Sequence, residues 1–246
     1  MKVFASDFDG TLYFHREPKG MRQADLDAIR RFQAEGGAFG VCTGRSLQGI
    51  LMALPEPPGF DFYILSSGAL VVDRAYQPID KKCISRAMTH EIYERYERRA
   101  RIVIQANDTV YTLTEPRYPM QTHIASLDEL PGEDIYGFSF GLETPEEAAA
   151  VAAEVNRHYR DAVAAFQNVT NVDIVAAGCS KGSGVHAVKA HFGADLAGGI
   201  GDSYNDIPML EASDRAFTFP FAPAEVQSKA HRIVGSVAEA LDAMRD

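Results

Sequence analysis

The sequence predicts an α/β protein: a doubly wound, Rossmann-like parallel-sheet core interrupted by an inserted α+β domain. Three observations predict it. A strand–helix–strand–helix–strand pattern runs through residues 2–72 and resumes after Ser180, as parallel sheets with crossover helices require. Between about 81 and 178 the pattern changes to hairpin-linked strands with helices between the pairs. Polar clusters recur where core strands end, the edge at which open parallel sheets bind ligands.

Residues 2–6 are a short apolar run, read as a buried strand. Met21, Ala24, Leu26, Ile29, Phe32 and Ala34 recur with helical period over 22–35, and Gly36-Gly37 stops that helix. Strand 38–42, helix 46–53 and strand 62–65 follow, with Pro55, Pro57, Pro58 and Gly59 breaking the chain between the last two. Ser66-Ser67-Gly68 turns into a short strand, Ala69–Val72.

The middle opens with a charged helix over about 85–100, then strands at 101–106 and 109–114. Residues 115–131 are irregular, and Arg117–His123 is the stretch expected to face the site. Strand 135–142, helix 145–159 and strands 162–167 and 171–176 complete this part. The core then resumes with helix 182–192, a strand ending at Ile200 and helix 206–212. Strands near 215–218 and 232–234 and a helix at 236–244 finish it. The expected division is residues 1–80 with 179–246 as the core, and 81–178 as the inserted domain.

Composition narrows the function. The chain has 246 residues, 46% hydrophobic, and a formal charge of −10. An acidic chain is not expected to bind nucleic acid or an anionic membrane. An anionic ligand would need local compensation, and a divalent cation is the obvious source. Cys42, Cys83 and Cys179 are widely spaced and odd in number, which reads as reduced thiols with no disulfide framework or zinc site. The seven histidines are scattered and are assigned surface or packing roles. With no signal peptide and no apolar run near the about 18 residues of a membrane helix, a cytoplasmic location is expected.

The chemistry concentrates in Asp7-Phe8-Asp9-Gly10-Thr11, directly behind the first strand. Carboxylates at i and i+2 point to one side of a strand end, and glycine then allows a sharp turn. One acid can attack as a nucleophile while the other carries a proton. Thr43-Gly44-Arg45, Ser180-Lys181-Gly182 and Gly201-Asp202-Ser203-Tyr204-Asn205-Asp206 are the other clusters. Each alone also fits a turn, a solvated lysine or a helix cap. Their shared edge and order favour one site.

These motifs, DFDGTL at 7–12, TGR at 43–45, SKG at 180–182 and GDSYNDIPML at 201–210, resemble those of haloacid dehalogenase-superfamily phosphatases. The resemblance is to the Cof-like subfamily, with a C2B-type cap between the second and third motifs, and it covers the whole chain. It implies a Mg2+-dependent phosphohydrolase that cleaves a small phosphorylated metabolite, of the sugar phosphate class, through an aspartyl-phosphate. Asp7 is then the nucleophile and Asp9 the acid and base. Lys181 neutralises phosphate and nucleophile together. Thr43 and the Gly44 amide hold phosphoryl oxygens, and Asn205 contacts the phosphate or the groups around it. The implied Mg2+ ligands are Asp7, the backbone carbonyl of Asp9 and Asp202, with Asp206 supporting the ion directly or through water. Asp9 points to phosphoryl transfer, because the dehalogenase branch lacks this acid. A phosphotransferase or phosphomutase uses the same residues, whereas a non-catalytic binding module would be expected to have lost some of them. A monomer or weak homodimer is expected.

Two stretches depart from the family pattern. Ser67-Gly68 stands where Asn-Gly is frequent, and Thr218-Phe219-Pro220-Phe221-Ala222 replaces a small-residue turn.

Overall fold

The structure is a computed structural model and describes residues 1–16, 19–107 and 109–245. In chain order the elements begin with β1 (Lys2–Ser6), α1 (Gln23–Ala34), β2 (Ala38–Cys42), α2 (Leu47–Ala53), β3 (Phe62–Leu65), β4 (Leu70–Asp73) and β5 (Pro78–Lys81). Next come α3 (Arg86–Tyr96), β6 (Arg101–Ala106), β7 (Thr109–Thr112), β8 (Gln121–His123), β9 (Ile135–Gly141), α4 (Pro145–Tyr159), β10 (Val163–Asn168) and β11 (Asn171–Ala176). The last are α5 (Lys181–His191), β12 (Leu196–Ile200), α6 (Ile207–Ala212), β13 (Arg215–Thr218), α7 (Ala224–Gln227), β14 (Arg232–Ile233) and α8 (Val237–Ala243).

The chain divides into two compact units. One comprises Met1–Thr43, Pro58–Asp80 and Ser180–Asp246, and the other Gly44–Pro57 and Lys81–Cys179.

The first unit is built on an eight-stranded sheet in the order β14-β13-β12-β1-β2-β3-β4-β5. It is parallel from β14 to β3 and turns antiparallel between β3 and β4. Side chains alternate across the strands, so each strand feeds two cores. On one face Val3, Ala5, Ile64 and Ala197 pack with Val185 and Val188 of α5 and Met209 of α6. On the other, the Phe4 ring stacks on Phe39 at 5.9 Å and meets Phe32 of α1 edge-on at 6.3 Å. Burying both faces explains why these strands read as continuous apolar runs.

The second unit is a six-stranded sheet in the order β10-β11-β9-β6-β7-β8, antiparallel except for β7 against β8. Ile104 and Ile174 flank Phe138, while Ile102 and Val172 flank Phe140, all buried. Tyr96 of α3 lies 5.3 Å from Phe140, and its hydroxyl donates to Glu154 of α4 at 3.2 Å. Arg95 and Arg99 donate to the same carboxylate at 3.4 and 2.9 Å, which ties α3 to α4.

Several elements differ from the sequence expectation. The charged helix ends at Tyr96 rather than near residue 100, because Glu97, Arg98 and Arg99 are exposed and offer no apolar face. Strand β8 lies in the stretch expected to be irregular; at three residues it has no room to show a period. Strand β5 starts with a proline and is mostly exposed, as edge positions tolerate. Among the described residues, no helix is long and apolar enough to cross a membrane.

Candidate active site

Strand β1 leads to β2 on one side, whereas its other neighbour β12 leads to β13 on the opposite side. Such a switch point opens a crevice beyond the strand ends, and the side chains after β1 and β12 fall there. The Asp7 amide still donates to Ile200 O at 2.8 Å, so the ladder holds Asp7 in register with the end of β12. The chain then turns at Gly10, whose φ of +84° lies where side chains are strained. Thr11, just beyond, donates through Oγ1 to Asp202 Oδ1 at 3.1 Å.

Asp7, Asp202 and Asp206 each present a carboxylate oxygen, all within 4.8 Å of one another. Lys181 reaches into this group from the first turn of α5. Its ammonium donates to Asp7 Oδ1 at 2.7 Å and to Asp206 Oδ1 at 2.5 Å. The local sequence explains its placement. Ser180 caps α5 in a reciprocal pair with Ser183, and Gly68 packs against the Ser180 carbonyl, where an added Cβ would sit 2.0 Å from the oxygen. Asp206 has a further duty: its Oδ2 accepts from the amides of Asp202 and Ser203, both at 2.9 Å. Gly201 makes room for it, since a Cβ there would lie 2.4 Å from the Asp206 carboxyl carbon.

Three carboxylates surround one ammonium, and the imbalance appears in the protonation of Asp7 and Asp202. Burial, then the charge of Asp206, push the Asp7 carboxyl well above its ordinary range, although Lys181 pulls it down. Burial alone would lower Lys181, but Asp206 and Asp7 outweigh it and hold the ammonium well above the usual lysine value. Asp202 is raised to about 6, by burial first and by Asp206 second. The excess negative charge and hard oxygen donors fit a small divalent cation. The acidic triad is therefore a candidate metal centre.

Thr43 is buried at the end of β2, with its amide on Ile64 O at 2.8 Å and its carbonyl accepting from Ser67 at 2.9 Å. Gly44 is the next residue, and its carbonyl accepts from Gln105 Nε2 at 2.8 Å. Asn205 is buried in the turn between Asp202 and Asp206. Asp9 is more exposed than Asp7, and His15 Nε2 lies 2.7 Å from its Oδ1. The histidine contact is absent from the sequence reading. The available signal was spacing: Tyr13 bridges to Asp9, and two residues further brings His15 to the same side.

At the first departure from the family pattern, Ser67 adopts a positive φ of 52°, as Ser66 before it does at 48°, where Asn and Gly are more at ease. Phe219 is buried, and Phe221 stacks on it at 5.0 Å while remaining exposed.

The sequence model of the haloacid dehalogenase-like hydrolases matches residues 4–243. The chain belongs to this hydrolase family. Solved structures share its fold at low identity. A haloacid dehalogenase-like hydrolase from B. subtilis is 20% identical, with a TM-score of 0.84 over 99% of this chain and 98% of the other. The subclass IIB sugar phosphatase BT4131 is also 20% identical, at 0.81 over 100% and 98%. The phosphatase BT1666 from Bacteroides thetaiotaomicron is 22% identical, at 0.78 over 100% and 94%. No curated protein matches the chain. The haloacid dehalogenase fold thus accounts for both sheets, the inserted one included.

Proposed function

We propose that this hydrolase is a Mg2+-dependent phosphatase that cleaves a small phosphorylated metabolite, of the sugar phosphate class, through an aspartyl-phosphate on Asp7. The observation that carries the reading is Asp7 itself: a buried carboxylate with Lys181 at 2.7 Å, gathered with Asp202 and Asp206 within 4.8 Å. A nucleophile so placed has its direction fixed before substrate arrives, and a bound cation would favour its charged form.

In the first step an Asp7 oxygen attacks phosphorus, the bond to the leaving oxygen breaks, and Asp9 gives that oxygen a proton. In the second, Asp9 takes a proton from water as the water oxygen attacks phosphorus and Asp7 departs as carboxylate. Lys181 keeps Asp7 oriented and offsets charge on the phosphoryl group, whose transfer depends mainly on positioning and electrostatics. Thr43 and the Gly44 amide hold phosphoryl oxygens, and Asn205 contacts the phosphate or the groups around it. Asp7, the Asp9 carbonyl and Asp202 are the proposed Mg2+ ligands. Asp206 would support the ion, directly or through water, while its Oδ1 meets Lys181 and its Oδ2 the two amides. The cation would draw charge from the phosphoryl oxygens and relieve the repulsion among the acids. The inserted domain, residues 81–178, is the proposed source of substrate choice, since leaving-group recognition lies outside the core motifs.

The test is phosphate release from an aryl phosphate with Mg2+. Asp7→Asn is expected to abolish release while the circular dichroism spectrum stays unchanged. Retained activity in the folded variant overturns the nucleophile assignment.

A further inference from the structure

His15 stands on the proton-carrying acid of the proposed reaction. Its Nε2 lies 2.7 Å from Asp9 Oδ1, while the His15 side chain is 56% exposed and that of Asp9 38%. An exposed pair of this kind contributes little to stability. Yet the histidine is not loosely placed. Its ring meets Tyr13 edge-on at 5.2 Å, and Tyr13 stacks on the buried Phe8 at 5.0 Å. The Tyr13 amide donates to Phe8 O at 2.8 Å, and Gly10 donates to Tyr13 O at 2.9 Å. Residues 8–13 thus form a closed turn, with Asp9 inside it and His15 two residues beyond. Phe14 and Gly20 exchange a reciprocal backbone pair at 3.0 and 2.8 Å.

We propose that His15 is a positioning residue for Asp9. With Nε2–H donating to Oδ1, rotation about the Asp9 Cβ–Cγ bond is restrained. The plane of the carboxylate, and with it the direction in which the acid offers its proton, is then set in advance. Pre-orienting a proton donor lowers the barrier only where the leaving oxygen needs the proton. The effect of His15 therefore grows as the leaving group becomes poorer. This rests on the reading of Asp9 as the acid and base, and the experiment separates the two.

The experiment measures kcat/KM with Mg2+ for 2,4-dinitrophenyl, 4-nitrophenyl and phenyl phosphate, an order of worsening leaving groups. It uses the full chain as wild type, Asp9→Asn, His15→Phe and His15→Gln. Phenylalanine keeps a ring for Tyr13 but removes the donor; glutamine can return an N–H near the Nε2 position. His15→Phe is expected to lose about tenfold on phenyl phosphate and little on the dinitrophenyl ester, with His15→Gln restoring most of the loss. An equal loss by His15→Phe on all three esters, or no rescue by His15→Gln, overturns the positioning role. If Asp9→Asn itself shows no dependence on leaving group, the acid–base reading fails and the role of His15 falls with it. If Asp9→Asn shows the dependence and His15→Phe does not, only the role of His15 is lost.

Discussion

Lys181 and Asp206 form an ion pair at 2.5 Å with side chains 1% and 0% exposed, the most deeply buried charges of the site. Twenty-five residues separate them in sequence, and each holds a second element in place. Lys181 also reaches Asp7 on β1, and Asp206 also holds the amides that follow β12. Removing one partner leaves the other charged and uncompensated in the interior. Lys181→Met should cost about 3–5 kcal/mol in urea denaturation and eliminate phosphate release. A loss below about 1 kcal/mol would show that the acids reorganise without the ammonium.

Asp202 supplies a pH dependence whose sign is fixed. Its carboxyl sits at about 6 in the folded, metal-free chain, above the about 3.9 of an unfolded aspartate. Its contribution to stability is therefore full below about pH 4 and is lost as pH rises through about 6. Mg2+ needs the charged form, so its stabilising effect should run the opposite way. Thermal melts with EDTA or Mg2+ should show a large gain from Mg2+ at pH 7.5 and a small one at pH 5. An equal gain at both would remove Asp202 from the ligand set.

Gly68 is the narrowest backbone approach beside Lys181, with φ of +94° and a prospective Cβ 2.0 Å from Ser180 O. Gly68→Ala must push the start of α5 away or distort its own turn. Gly193 also has positive φ, at +58°, but faces open space. Gly193→Ala should cost only about 1 kcal/mol, while Gly68→Ala should cost several times more and reduce activity with it. Equal costs in chemical denaturation would mean that the Gly68 contact relaxes freely.

In the second unit, Glu154 is held below the ordinary glutamate range, first by its hydrogen bond from Arg99 and then, against the cost of burial, by the Arg99 charge and by Tyr96 and Arg95. A lowered carboxylate stabilises above its unfolded value of about 4.3, and that stability drains as pH falls through the folded value. Glu154→Gln should therefore melt earlier than wild type at pH 7, with the gap closing toward pH 3. A gap that persists at pH 3 would assign the loss to packing instead.

The sequence made the buried strands of the core legible because both of their faces are covered: Val3–Ser6, Ala38–Cys42 and Phe62–Leu65 are near-unbroken apolar runs. The edge strands β5 and β8 escaped because a short, exposed strand has no buried face to give it a pattern. The acids were visible as motif residues at strand ends. Their division of labour was not. Nothing in the spacing of Asp202 and Asp206 says that one accepts from Thr11 while the other meets Lys181 and two amides. Nor does the scatter of seven histidines single out His15, which depends on a ring stack three side chains long.

The placement of β1 beside β12 carries a consequence for synthesis. Thr11 and Asp202 meet across 191 positions, and β1 pairs with β12 from Lys2–Leu196 to Ser6–Ile200. As the polypeptide leaves the ribosome, β1 and β2 emerge well before β12, and one flank of β1 stays bare until Leu196–Ile200 follows. Every strand of the second sheet is available before then. Until translation reaches β12, the nascent chain carries an open, apolar strand edge and an incomplete set of acids. The interval is one of exposure to misassociation, and of enforced chemical silence.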